Sequence, residues 1–343
     1  MQKIVLFGAG GTLQNFLREM KYSSQFQKDE IVAICDNDES KCGKKIDAYT
    51  VQKPADLKSL YYDAIVITSL YVTEINDVLR QKYGIEDRIL SLEEYRISST
   101  IAHNVQTNKA RNRGNHLTKQ DMFHKNSMVI YTAIIGDYDE LKTPKQIQDN
   151  CTYVCFTDRK SIKSDVWEIR HVDGGDDPRK TVREYKMFPH KFLSEYETSI
   201  WVDASLELQG DMWEYVKRYQ SSSPILLFPH PYRICIYEEA AACIHYSMAE
   251  KEVILKQINA YYKNEYPVNN GLVCGGCIVR QHQNHDIQTL MEEWWHEVCT
   301  YSKRDQLSLP YLMWKNHINY DLCDQFIEDN EWIKKSSHKL LKE

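Results

Sequence analysis

Short apolar runs that close on a polar turn recur along this chain, and between them apolar residues return every three or four positions. Residues 4–7 make the first run, Ile-Val-Leu-Phe, which ends in Gly8-Ala9-Gly10-Gly11. Leu13, Phe16, Leu17 and Met20 then recur at helical spacing, which predicts a helix over 12–20. Runs at 30–35, 62–68 and 87–90 predict strands, with a helix over 72–82. Strands alternating with helices predict an α/β fold, a Rossmann-like, doubly wound parallel sheet over 1–100. Residues 101–126 hold no sustained apolar period and carry Lys109, Arg111 and Arg113, so they read as a linker with some helix.

The pattern resumes over 127–343 as a second α/β domain. Strands are predicted at 128–135, 151–156 and 166–171, a long helix over 179–196, and a strand over 199–203. The stretch Ser-Ile-Trp-Val-Asp-Ala-Ser at 199–205 reads as a buried strand that delivers Asp203 to its C-terminal end. Open α/β sheets bind ligands there, although an Asp in that place also suits a helix or turn cap. Further on come an apolar strand at 225–228, a helix over 238–248 and a Gly/Cys-rich strand or loop at 271–279. A helix over 288–299 carries Trp294-Trp295, which suits core packing or an acceptor wall, and 328–343 reads as a charged helix or tail.

Composition narrows the classes. A chain of 343 residues, 42% hydrophobic and 27% charged, suits two soluble globular domains. With 49 acidic and 43 basic residues the net charge is −6, so no global basic field points to nucleic acid. Cys274-Gly-Gly-Cys277 is the one C-x-x-C among ten cysteines and has no second pair, which argues for free buried thiols in a reducing compartment. No run approaches the ~18 apolar residues of a membrane span. The first residues also lack a signal-peptide core, so the expected location is cytoplasmic. The basic residues of the linker offer a peripheral contact to an anionic membrane surface.

In the first domain the glycine turn resembles a dinucleotide fingerprint. Gly8, Gly10 and Gly11 let backbone approach a phosphate, and Asp36 falls at the place of a ribose-binding acid, although Leu13 stands at the third glycine position. Rossmann-like domains of this look precede bacterial polysaccharide enzymes. That resemblance leaves two roles open, a nucleotide or sugar-nucleotide site and a scaffold for a homo-oligomer.

The second domain carries a specific set of motifs. They are 131–139 Tyr-Thr-Ala-Ile-Ile-Gly-Asp-Tyr-Asp, Cys155-Phe-Thr-Asp158, Arg183-Glu-Tyr-Lys186, His190, Ser199-Ile-Trp-Val-Asp203, His230-Pro-Tyr-Arg233, Glu238-Glu239-Ala240 and Gln306-Leu-Ser308. In this order they resemble the glycosyltransferase-like family long labelled a domain of unknown function. Its plant members are linked to mucilage polysaccharide and its bacterial members to surface-polysaccharide loci.

The resemblance implies a GT-A-like domain that moves a sugar from a nucleotide-sugar, a UDP-sugar first, to a glycan or lipid-linked acceptor. It implies that Asp203 and Asp305 are catalytic, with Asp305 orienting sugar hydroxyls. Asp158 would meet the nucleoside and Gln306 the sugar or acceptor, with Arg233 and Glu239 further substrate contacts. Arg183 and Lys186, three apart on one helix face, are placed to converge on the diphosphate. Enzymes of this fold hold Mn²⁺ or Mg²⁺ with an Asp-x-Asp. Here Asp203-Ala204-Ser205 puts a hydroxyl in place of one carboxylate, so Asp203, Ser205 and His230 are the expected metal ligands. Two other classes stay open. One is a metal-dependent hydrolase of a lipid amide or ester, against which stands the lack of a His-x-His or His-Glu-x-x-His cluster. The other is a non-catalytic nucleotide-sugar-binding module.

Overall fold

In the computed structural model the apolar runs become strands of two sheets, one in each of two units, Met1–Thr100 and Ile101–Glu343. The structure describes residues 2–26, 29–112, 128–149, 151–221 and 223–336.

The first unit holds β1 (Lys3–Phe7), β2 (Glu30–Cys35), β3 (Lys45–Ile46), β4 (Tyr49–Gln52), β5 (Ala64–Ile67) and β6 (Ile89–Ser91), in the order β3-β4-β2-β1-β5-β6. Neighbours run parallel apart from β3 with β4. Successive β1 side chains point to opposite faces, so each face gathers its own core. Ile4 and Leu6 pack with Leu13 and Phe16 of α1 (Gly11–Tyr22), while Val5 and Phe7 pack with Ile75 and Leu79 of α2 (Val72–Gln81). The sheet is therefore doubly wound, and β1, with β2 on one side and β5 on the other, is its switch point.

α3 (Leu92–Asn112) corrects the linker reading in part. Residues 101–112 are helical and belong to the second unit, where Asn104 donates to the His230 carbonyl at 2.9 Å and accepts from Leu272 N–H at 2.9 Å. Arg113 and the rest of the expected linker lie outside the described residues.

Among the described residues, the main sheet of the second unit has seven strands in the order β14-β12-β13-β10-β7-β8-β9. They are β7 (Met128–Ile134), β8 (Thr152–Thr157), β9 (Glu168–His171), β10 (Thr198–Val202), β12 (Ile225–Pro229), β13 (Val273–Gln281) and β14 (Asp321–Leu322); β11 (Leu206–Leu208) pairs outside this sheet with β15 (Ile333–Lys335). β13 is antiparallel to both its neighbours and the other pairings are parallel. Val129, Tyr131 and Trp201 face one core, and Met128, Ile130 and Ile200 the other.

The expected helix over 179–196 is two helices, α4 (Pro178–Met187) and α5 (Pro189–Phe192). Phe188 between them leaves helical backbone, with ψ 47°, because a residue before proline is pushed out of the α region. The remaining helices are α6 (Met212–Tyr219), α7 (Ile236–His245), α8 (Lys251–Lys263), α9 (His285–Thr300) and α10 (Asp305–Lys315). The tail also departs from expectation, since residues 333–335 are the strand β15 and 337–343 lie outside the described residues. Among the described residues no helix is long and apolar enough to cross a membrane.

Candidate functional site

Because β7, β8 and β10 run parallel, their C-terminal ends meet along one edge of the sheet. A cavity of about 930 Å³ opens there, between the 135–139 turn after β7, one face of α4, the end of β10, Gly275-Gly276 of β13 and the start of α10. Arg183 and Lys186 line it from α4, Asp203 and Ser205 from the turn after β10, and Arg304, Asp305 and Gln306 from the start of α10.

Lys186 is the centre of this arrangement. Its Nζ lies 2.6 Å from Asp305 Oδ2 and 3.7 Å from Asp203 Oδ1, and the residue is only 4% exposed. An ammonium so buried needs anionic partners, and it has two carboxylates from elements far apart in the chain. The ammonium also lies 5.9 Å from the Trp201 ring centroid and 5.7 Å from that of Trp294. Trp294 is fully buried and donates its Nε1–H to the Asp305 carbonyl at 3.1 Å, so it serves the core and the position of α10 together. Trp201 Nε1–H donates to Asp203 Oδ1 at 2.6 Å, and Asp203 N–H donates to the Gly276 carbonyl at 2.8 Å. Behind Lys186, fully buried Arg280 donates to the Lys186 carbonyl and to Tyr131 Oη, pinning the C-terminal turn of α4.

The two acids differ. Enclosure by the cavity walls raises the Asp203 pKa above the ordinary carboxylate range although its side chain is 39% exposed; Lys186 opposes that effect and Asp305 adds to it. Burial also acts on Asp305, but Lys186 and Arg183 outweigh it and bring its pKa down to about 2. The difference follows from distance, since Lys186 sits closer to Asp305.

Gly275 and Gly276 of the Gly/Cys-rich stretch lie in β13, where the lack of a side chain lets charged groups approach the backbone closely. A Cβ at Gly275 would lie 3.1 Å from Lys186 Nζ and 3.4 Å from Asp305 Oδ2. One at Gly276 would lie 3.4 Å from Asp203 Oδ2. Arg304 joins the site because it directly precedes Asp305-Gln306; its guanidinium donates to Gln306 Oε1 at 3.0 Å. Nε of Arg183 and Nε of Arg304 have no hydrogen-bond partner among the described residues.

Other expected site residues lie apart from the cavity. Asp158 is not among the lining residues; its carboxylate accepts from Gly136 N–H at 3.0 Å and so ties down the turn that forms one wall. Gly136 has φ +73°, which lets this turn form without strain. Arg233 and Glu239 are also absent from the lining and pair with each other, and Glu239 lies 3.9 Å from Arg304.

His230 is not brought to Asp203. It is buried two strands away, roughly 10 Å across the sheet. Its Nδ1 accepts from the N–H groups of Tyr232 at 3.2 Å and Arg233 at 3.1 Å. His230 directly follows β12, the strand expected at 225–228, but its ring is committed to the 231–233 turn. Nor does the donor set of the cavity fit a divalent ion. One oxygen of each carboxylate is taken, by Trp201 and by Lys186, and the Lys186 cation lies between the two groups. Among the described residues no three His, Cys, Asp or Glu side chains converge to hold a metal.

The buried His230 carries a prediction about stability. Burial, with Arg233 and Arg304 nearby, brings its pKa down to about 3, and Glu239, 3.6 Å from Nε2, is already claimed by Arg233. The unfolded chain binds a proton near pH 6.5 that the folded chain refuses. This stability is therefore present above about pH 6.5 and is lost as pH falls toward 3, at up to about 1.4 kcal/mol per pH unit. His230→Asn keeps an acceptor for the turn and removes the titration. Urea midpoints at pH 7 and pH 5 should separate more in the wild type than in the variant.

The first unit has its own cavity of about 480 Å³ at the switch point, lined by Gly8, Gly10, Asp36, Lys41 and Thr68 among others; Gly11 is not in its lining. Asp36 is already occupied. Its Oδ2 accepts from Ala9 N–H at 2.6 Å and meets Lys41 Nζ at 2.9 Å, and its Oδ1 accepts from Asp38 N–H at 2.8 Å. It clamps the glycine turn to the end of β2. Cys274 and Cys277 are buried free thiols.

Comparison with known proteins adds a family to this geometry. A model described as TOD1/MUCI70, glycosyltransferase-like domain, matches residues 93–334. One described as C2185-like, N-terminal, matches residues 1–90. A probable hexosyltransferase, MUCI70, of Arabidopsis thaliana is 22% identical over 233 residues, covering 58% of this chain and 39% of that protein. The chain thus spans well under half the length of that relative.

Proposed function

From its membership of the TOD1/MUCI70 glycosyltransferase-like family, to which this chain belongs, we propose that the second unit transfers a hexose from a nucleotide-sugar, a UDP-sugar first, to a glycan or lipid-linked acceptor. The observation that carries this reading is the cavity at the strand ends, in which two carboxylates are held about one buried lysine and which Arg183 and Arg304 also line. A glycosyl donor departs as a nucleoside diphosphate, so a transferase must meet negative charge that grows on the leaving phosphate. Arg183, Lys186 and Arg304 supply cations for it, Arg as a fork and Lys as a point charge. Asp305 and Asp203 orient the sugar hydroxyls, each with an oxygen left over from its protein bonds. The 135–139 turn, tied down by Asp158, receives the nucleoside. Surface-polysaccharide assembly is the pathway that suits such an acceptor.

Thermal-shift measurements with UDP-, GDP- and CMP-sugars test the reading. One class should stabilise the protein by on the order of 5 °C at a hundredfold excess over its Kd. The same class should release free nucleotide on incubation. Stabilisation without release would identify a binding module instead, and a lack of any shift would overturn both.

A further inference from the structure

We infer that this site works without a divalent cation, Lys186 standing where that cation would stand between Asp203 and Asp305. The inference rests on the nucleotide-sugar reading of the cavity and deepens it. Lys186 is fixed from every side. Asp305 and Asp203 hold its ammonium at 2.6 Å and 3.7 Å, the Trp201 and Trp294 rings flank it, and Gly275 leaves no room behind it. Arg280 pins the backbone carbonyl of the same residue. A long, flexible side chain has thereby become a localised charge at the cavity wall.

A metal ion entering between the carboxylates would have to displace this ammonium or sit beside it. Beside it, two cations would share two carboxylates within about 4 Å, a repulsion that a low-dielectric wall screens poorly. The hard oxygen ligands a Mg²⁺ or Mn²⁺ ion requires are also short here, because the second position of the usual acid pair is Ser205.

The chemistry balances with the residues present. The bond between the anomeric carbon and the β-phosphate oxygen breaks with both electrons left on that oxygen. The acceptor hydroxyl oxygen bonds the anomeric carbon, and its proton is released to solvent. Lys186 meets the oxygen that gains charge, and Arg183 and Arg304 meet the remaining diphosphate oxygens.

Titration of the full chain with Mn²⁺ alone, followed by electron paramagnetic resonance of the free ion, tests the inference without any turnover. The wild type should show no saturable site that Asp203→Asn removes. Where a nucleotide-sugar is turned over, release should agree within about twofold in EDTA and in Mn²⁺. Lys186→Ala should lower it by roughly 100-fold and Lys186→Arg should restore part of it. A stoichiometric Mn²⁺ site lost in Asp203→Asn, or release abolished by EDTA, overturns the inference. If no nucleotide-sugar is turned over at all, the transferase reading fails by itself, and the Mn²⁺ titration of the wild type still decides the metal question.

Discussion

Asp203→Asn should lower nucleotide release by about 10²–10³-fold while the protein stays folded. Asn is nearly isosteric and its Oδ1 can still accept from Trp201 Nε1–H, so the end of β10 keeps its anchor. What goes is the charge. Lys186 is left with Asp305 as its one carboxylate, and the ammonium is free to swing toward it and away from the donor. The side chain of Asp203 is 39% exposed, so little stability depends on it, and the denaturation midpoint should move far less than the rate. Initial rates of diphosphate release and a urea curve for each protein make the check. A rate within threefold of wild type would remove Asp203 from the mechanism.

Gly275→Ala should lower kcat/KM by roughly 10-fold through a single methyl group. The added Cβ falls 3.1 Å from Lys186 Nζ, tighter than ordinary packing, and 3.4 Å from Asp305 Oδ2. Gly275 is not in left-handed backbone, so alanine itself is tolerated in β13, and the neighbour that gives way is the end of the lysine side chain. A shift of a few tenths of an ångström breaks the geometry of the 2.6 Å ion pair, and misplacements approaching 1 Å at a reacting centre cost about 10²-fold. Gly276→Ala makes the contrast. Its Cβ would press on Ile327 at 3.2 Å and Leu206 at 3.3 Å, so that variant should lose stability as well as rate. Steady-state kinetics beside urea midpoints separate the two patterns.

Much of this site was legible in the sequence, and the part that was not has a common cause. The run Ser199-Ile-Trp-Val predicts a buried strand with Asp203 at its end, because an apolar stretch buried on both faces needs no periodicity to be read. Arg183 and Lys186 reach the same cavity because residues three apart share a helix face. The pairing of Lys186 with Asp305 spans 119 residues, and no local pattern announces it. His230 shows the opposite error. Its position after β12 was correct, but the choice between a ligand and a turn anchor depended on which way its ring faced, and two backbone N–H groups of the 231–233 turn settle that. Asp36 shows the same dependence on the fold: it lines the first unit's cavity, and its bonds to Ala9, Asp38 and Lys41 come from the turn packed against it. Strand ends and helix faces could be read from spacing, while the partners of charged groups needed the fold.

The most direct measurement of the central claim is a time course of nucleoside diphosphate released from a panel of nucleotide-sugars in EDTA, wild type beside Asp203→Asn. The account predicts steady release from one donor class by the wild type and its near-complete loss in the variant. Equal release by the two proteins would contradict it.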